Sequence, residues 1–157
     1  MEDQNIKRDK EMIFSRTVNA PRELVYDVWT DPEHVVQWWG PTGFTTTSKH
    51  MDAKPGGEWL FTMHGPDGRD YPNKIIFIET NRPEKLVYRH SGDVDTEPVN
   101  FHVEVTFKDE GGKTGITMHM VFDTAEGMKK VVDEYGAYEG AIQHIARMQE
   151  YLARLQS

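Results

Sequence analysis

The sequence predicts an α+β fold: a seven-stranded antiparallel sheet packed on a long C-terminal helix, with two short helices after the first strand. Three observations carry this expectation. Segments of alternating character between residues 44 and 122 are punctuated by "KPGG", "GPDG", "TNRPE" and "DEGG", the turn chemistry of an antiparallel meander. The end of the chain carries one apolar stripe at helical spacing. Between the first strand and the meander stand two helix-start signals, each built on a proline.

In chain order, residues 1–10 ("MEDQNIKRDK") are almost wholly polar and read as a disordered or frayed tail, leaving one domain over 11–157. "EMIFSRTV" is the first strand. "NAPRELVYDVWT" opens a helix, with Pro21 in its first turn and Leu24, Val25, Val28 and Trp29 recurring on one side. "TDPEHVVQWWGP" starts another, with Asp31 as N-cap, Pro32 in the first turn and Gly40-Pro41 as the stop. Six strands follow. After Asp123 the stripe Tyr138, Ala141, Ile142, Ile145, Met148, Leu152 and Leu155 predicts a long amphipathic helix.

That stripe needs an apolar sheet face. Pairing Lys108 with Lys113 sets Phe101 opposite Met120, Val103 opposite Met118 and Val105 opposite Ile116, and turns His102, Glu104, Thr117 and His119 to the other, solvated face. His102, His119 and Glu104 have ligand-like chemistry, but a solvated polar face accounts for them, and no metal site is expected.

Composition narrows the function. The 157 residues include 37% hydrophobic ones, enough for one core. A net charge of -8 lacks the surface that neutralises phosphate, so nucleic acid is not expected as a partner. Without cysteine there are no disulfides and no thiolate metal ligands. No apolar run approaches the ~18 residues that span a bilayer, so no membrane partner is expected and a cytoplasmic location is. No nucleophile-elbow, zinc-protease, dinucleotide or P-loop pattern occurs, and no cofactor is expected.

The hairpin "MDAKPGGEWLFTMHGPDGRDYP" raises the functional question. If "KPGG" is a four-residue loop, Asp52 lies opposite Trp59, His50 opposite Phe61 and Ser48 opposite Met63. Three large side chains turned inward then bring His50 and Asp52 with them. Burying an unpaired polar group costs roughly 1 to 3 kcal/mol, so this face is better explained as lining a cavity than as solid core. In "KLVYRHS", Leu86, Tyr88 and His90 share a face, adding a second histidine. The alternative is that both histidines sit at strand edges in water. Asp93 and Asp95 fall in "SGDVDTEPVN", expected as a solvated rim. Of Trp38 and Trp39, at least one is expected to pack under the sheet, and the other is free to close a cavity.

With their turns and tryptophans, "TDPEHVVQWWGP", the hairpin above, "RPEKLVY" and "GAYEGAIQHIARMQEYLARL" resemble the SRPBCC superfamily of START and birch-pollen-allergen relatives. Within it they resemble the single-domain bacterial proteins named as homologues of the heat-shock-protein-90 ATPase activator. The resemblance runs from about Glu11 to Leu155 and implies the helix-grip fold, a curved sheet wrapped round the last helix with a cavity between them.

The leading expectation is therefore a non-catalytic protein that binds a small hydrophobic molecule. The expected wall comprises Trp59, Phe61, Met63, Tyr88, Met118, Met120, Tyr138, Ile142 and Ile145, with His50, Asp52 and His90 as polar contacts. Two other classes stay open: a co-chaperone-like protein of the stress response, and an enzyme of cyclase or hydrolase type working in the same cavity through His50 and Asp52. A chaperone partner and a homodimer are allowed for alongside the small molecule.

Overall fold

A computed structural model describes residues 4–92 and 100–157. The expected rim residues Asp93 and Asp95 lie outside the described residues. Strands β1 (Gln4–Arg8) and β2 (Glu11–Val18) precede helices α1 (Arg22–Thr30) and α2 (Pro32–Val35). Then come β3 (Thr45–Met51), β4 (Glu58–His64), β5 (Asp70–Asn81), β6 (Lys85–Gly92), β7 (Asn100–Asp109) and β8 (Thr114–Phe122), and finally α3 (Ala125–Tyr135) and α4 (Ala137–Leu155). All strand pairs are antiparallel, in the order β1-β2-β8-β7-β6-β5-β4-β3, so β2 closes the meander on its β8 side. This is an α+β helix-grip architecture. No helix is long and apolar enough to cross a membrane among the described residues.

The sheet has eight strands rather than seven. Residues 4–8, read from the sequence as part of a frayed tail, pair with β2 in the register Gln4 to Ser15 through Arg8 to Glu11. Asp9 turns the chain there with φ of 50°, a conformation Asp tolerates better than most residues. The strand is polar because it lies at the sheet's edge, where backbone pairing holds it without an apolar alternation and charged side chains blunt the free edge.

Asp31 caps α2 as its sequence suggested, its Oδ1 accepting from the Glu33 N–H at 2.9 Å. The C-terminal region is two helices rather than one. Gly136 breaks the run in a left-handed conformation (φ 64°) that closes α3 and starts α4.

β7 and β8 pair two residues away from the expected register. Lys108 faces Gly115, so Phe101 lies opposite Phe122, Val103 opposite Met120, Val105 opposite Met118 and Phe107 opposite Ile116. A slip of two preserves the faces, because strand side chains repeat every two residues. Phe101, Val103, Val105, Met118 and Met120 are therefore buried, with His102, Glu104 and His119 turned outward. The Lys108–Lys113 register would also have set His102 opposite His119, and the two do not face each other. His102 lies opposite Val121, and His119 binds Glu11 at 2.8 Å.

β3 and β4 depart from expectation in a way that changes faces. Ser48 pairs with Phe61, and Lys49 is then an extra residue, so that His50 pairs with Leu60 and Met51 with Trp59. The bulge turns His50 to the outer face, where it is exposed. Beyond β3, the Asp52 carboxylate sits 3.5 Å from Lys54 Nζ on the surface. The "KPGG" turn docks on β5 through Gly56 N–H to Phe77 O at 2.8 Å and Phe77 N–H to Gly57 O at 2.9 Å. Only glycine fits at 57, where a Cβ would stand 2.1 Å from Asp52 O.

Candidate functional site

Between the concave face of the sheet and α4 lies a cavity of about 160 Å³. Its sheet wall includes Met63 of β4, Tyr88 and His90 of β6, and Met118 and Met120 of β8, all among the residues expected there from sequence. Its helix wall is made of small residues, Ala137, Gly140 and Ala141, followed one turn on by His144. Trp39 and Phe44, from the segment joining α2 to β3, close a third side.

Of the other expected wall residues, Trp59 and Phe61 are buried one layer back, stacked at 3.8 Å and braced edge-on by Trp39 at 4.9 and 5.7 Å. Ile145 is fully buried but away from the cavity. Tyr138 and Ile142 are half-buried, Tyr138 packing on Phe14 at 5.6 Å. His50 and Asp52 do not reach the cavity, because the bulge at Lys49 reverses the alternation that was to carry them inward. The polar partner that β3 offers this aromatic layer is Ser48, whose Oγ accepts from Trp59 Nε1–H at 2.9 Å.

The "WWGP" segment is tied down by α4. Arg147 donates from Nη1 to three successive carbonyls, those of Trp39, Gly40 and Pro41, at 3.2, 3.0 and 3.0 Å. The Gly40 N–H donates to His144 Nδ1 at 3.1 Å, and the Thr42 N–H to Gln143 Oε1 at 3.1 Å. Positions 143, 144 and 147 share one side of a helix, so a single turn of α4 holds four consecutive residues of the segment. Trp38 turns away from the cavity, its Nε1–H on Val28 O at 3.0 Å and its ring edge-on to Trp29, while Trp39 faces the cavity.

Two histidines supply the polar chemistry. Asn73 donates through Nδ2 to Tyr71 O at 2.8 Å, leaving its Oδ1 to accept from His90 Nε2–H at 2.8 Å. The His90 proton is thereby fixed on Nε2, and Nδ1 is an acceptor. Burial lowers the pKa of His90 to about 4. His144, only 7% exposed, is lowered to about 3, by burial first and then by the neighbouring His90 and Arg147. Burial also pushes the phenol of Tyr88 well above its usual range, so it is a neutral hydroxyl. His144 was not singled out in the sequence. The signal was there: it stands three residues after Ala141 and four before Met148, on the buried stripe.

On the outer face, Thr47 Oγ1 meets His64 Nε2 at 2.8 Å and His64 Nδ1 meets Asp70 Oδ1 at 2.7 Å. Thr47 and Asp70 are exposed, and water competes for every bond in that row. Among the described residues no three metal-ligating side chains come together.

The comparisons with known proteins bear on this geometry. The family model for activator of Hsp90 ATPase homolog 1-like protein matches residues 19–153. Among curated proteins none matches the chain. Solved structures share the fold. A protein of Arthrobacter aurescens superposes with a TM-score of 0.89 at 23% identity, over 96% of this chain and 91% of its own. One from Mycobacterium smegmatis gives 0.81 at 21%, over 100% and 96%. The AHSA1 protein of Silicibacter pomeroyi gives 0.75 at 19%, over 94% and 99%.

Proposed function

We propose, from the premise that this chain belongs to the activator of Hsp90 ATPase homolog 1-like family within the SRPBCC superfamily, that it binds a small, largely apolar molecule between its sheet and α4. The observation that carries this reading is the cavity itself. Its walls are almost wholly apolar side chains with a few convergent polar groups, the usual form of a small-molecule site. Larger residues in place of Ala137, Gly140 and Ala141 would fill it, so the small side chains are what make the site.

The volume limits the ligand. A cavity of ~150 Å³ accommodates benzene, whereas drug-sized molecules occupy ~300 to 1,000 Å³. A single ring or a short branched chain fits within it, and a longer chain would have to extend out of its opening.

Thermal unfolding with and without p-xylene tests this. A ligand at a hundredfold excess over its Kd stabilises by ~2.7 kcal/mol, and the Tm should rise accordingly. In Ala141→Phe, whose ring fills the cavity, p-xylene should no longer move Tm. An unchanged Tm in the wild type across p-xylene and other single-ring compounds would refute the reading.

A further inference from the structure

We infer that the cavity selects ligands bearing one uncharged oxygen acceptor, a ketone, aldehyde, ester or alcohol, and that His144 Nε2–H is the donor that holds it. This rests on the cavity being a ligand site. Its starting point is the imidazole of His144, which lines the cavity and has one nitrogen already committed. Gly40 N–H donates to Nδ1, so Nδ1 presents a lone pair and the ring's single proton sits on Nε2. That Nε2 is buried and, among the described residues, has no hydrogen-bond partner in the protein. A buried donor without a protein partner is costly, and at the wall of a cavity a water or a ligand oxygen can supply the partner.

The rest of the wall agrees on charge. No Asp, Glu, Lys or Arg is among the described residues that line the cavity. Arg147, close behind it, has its Nη1 on three backbone carbonyls. Protonating His144 would place a hydrogen on Nδ1 against the Gly40 N–H, so the ring cannot become a cation for an anionic head without giving up that anchor. A carboxylate would enter with no counter-charge, at a cost that buried ions rarely recover. A carbonyl or hydroxyl oxygen brings no charge and satisfies the orphan donor.

Three probes of nearly one shape separate the possibilities: cumene, acetophenone and benzoate, titrated at neutral pH against wild type and His144→Phe. Cumene should bind both proteins within about twofold, since it asks nothing of Nε2. Acetophenone should bind wild type and lose about tenfold in the variant, the worth of one neutral hydrogen bond. Benzoate should bind neither. A second readout needs no variant: bound to the wild type, the acetophenone carbonyl stretch should fall below its value in an apolar solvent, as a hydrogen-bonded C=O does. If cumene binds and acetophenone loses no more than cumene in the variant, with the carbonyl stretch unshifted, the head-group assignment is wrong while the cavity reading stands. Benzoate binding more tightly than acetophenone would overturn the charge argument. If none of the three binds, the cavity reading falls and this inference with it.

Discussion

The two halves of α4 carry one buried stripe, yet one half is filled with large side chains and the other borders a hollow. In the C-terminal half Ile145, Met148 and Leu152 are buried, at 0, 0 and 2% exposure, and none of them borders the cavity. In the N-terminal half the equivalent positions are Ala137, Gly140, Ala141 and His144, and the cavity lies beneath them. The helix is continuous across the boundary. The hollow is therefore made by the volume of four side chains rather than by the backbone: the large residues hold the helix in place and the small ones leave room under it.

The sharpest test of the difference is acid, because both neutral buried histidines belong to the hollow half. His90 and His144 have folded pKa values of about 4 and about 3, below the ordinary 6.5. The unfolded chain therefore binds more protons below pH 6.5, and the stability these groups hold at neutral pH is lost as pH falls from 6.5 toward 4 and then 3. Each tenfold drop in proton affinity on folding is worth ~1.4 kcal/mol, so the two rings together should cost about 6 kcal/mol between roughly pH 7 and pH 4. Surface carboxylates such as Asp123, held low by Arg89, titrate in the same direction, and His90 stays in place in His144→Phe, so the variant isolates the share of His144 alone. Urea midpoints should fall less steeply in the variant between pH 6.5 and 4. An identical slope would mean that His144 is not a buried neutral ring.

Truncation in the packed half should cost less than acid and more than anything of equal size in the hollow half. Ile145→Ala and Met148→Ala each open new space in a filled region and should lower stability by ~2 to 5 kcal/mol, read as the shift in urea midpoint at constant m. Met118→Ala and Met63→Ala border space that already exists. They should cost at least ~1 kcal/mol less than the Met148 change, and equal losses in both regions would break the comparison.

How much of this was legible in the sequence follows from what each element depends on. α1, the start of α2 and the meander were legible because caps, prolines and turn residues act locally, whereas α2 ends at Val35, short of the expected stop at Gly40-Pro41. The faces of β7 and β8 were legible even with the register off by two, because alternation encodes parity and little else. β3 was misread for the same reason. One extra residue at Lys49 inverts parity, and nothing in "TTTSKHM" marks an edge-strand bulge. β1 was missed because an edge strand needs no apolar face. His144 was overlooked because the helix stripe was read from its apolar members, whereas the residue that lines the cavity is a polar one at an apolar position. The proton on its Nε2 is set by the Gly40 N–H bound to its Nδ1, from more than a hundred residues away in sequence.

Gly140 offers the smallest effect and the most direct measure of what the hollow half gives up. Inside a helix, glycine is less favourable than alanine by ~0.8 to 1 kcal/mol. Here nothing in the backbone demands it, since residue 140 does not adopt a positive φ. Nor does crowding demand it, because a Cβ at 140 would meet its nearest neighbours, Cβ and Cγ of Pro41, at 3.7 and 3.9 Å, ordinary contact distances. Gly140→Ala should therefore stabilise the protein by ~0.5 to 1 kcal/mol while narrowing the cavity on the side that faces Pro41. If the missing side chain serves the ligand, the gain in Tm should come with weaker binding of acetophenone and cumene alike, since the change removes space and leaves the donor untouched. A gain in Tm with binding unchanged would place Gly140 outside the working wall. A loss of stability would show that the contact with Pro41 is tighter than ordinary packing, and that the hollow half is held by close approach as the other half is held by volume.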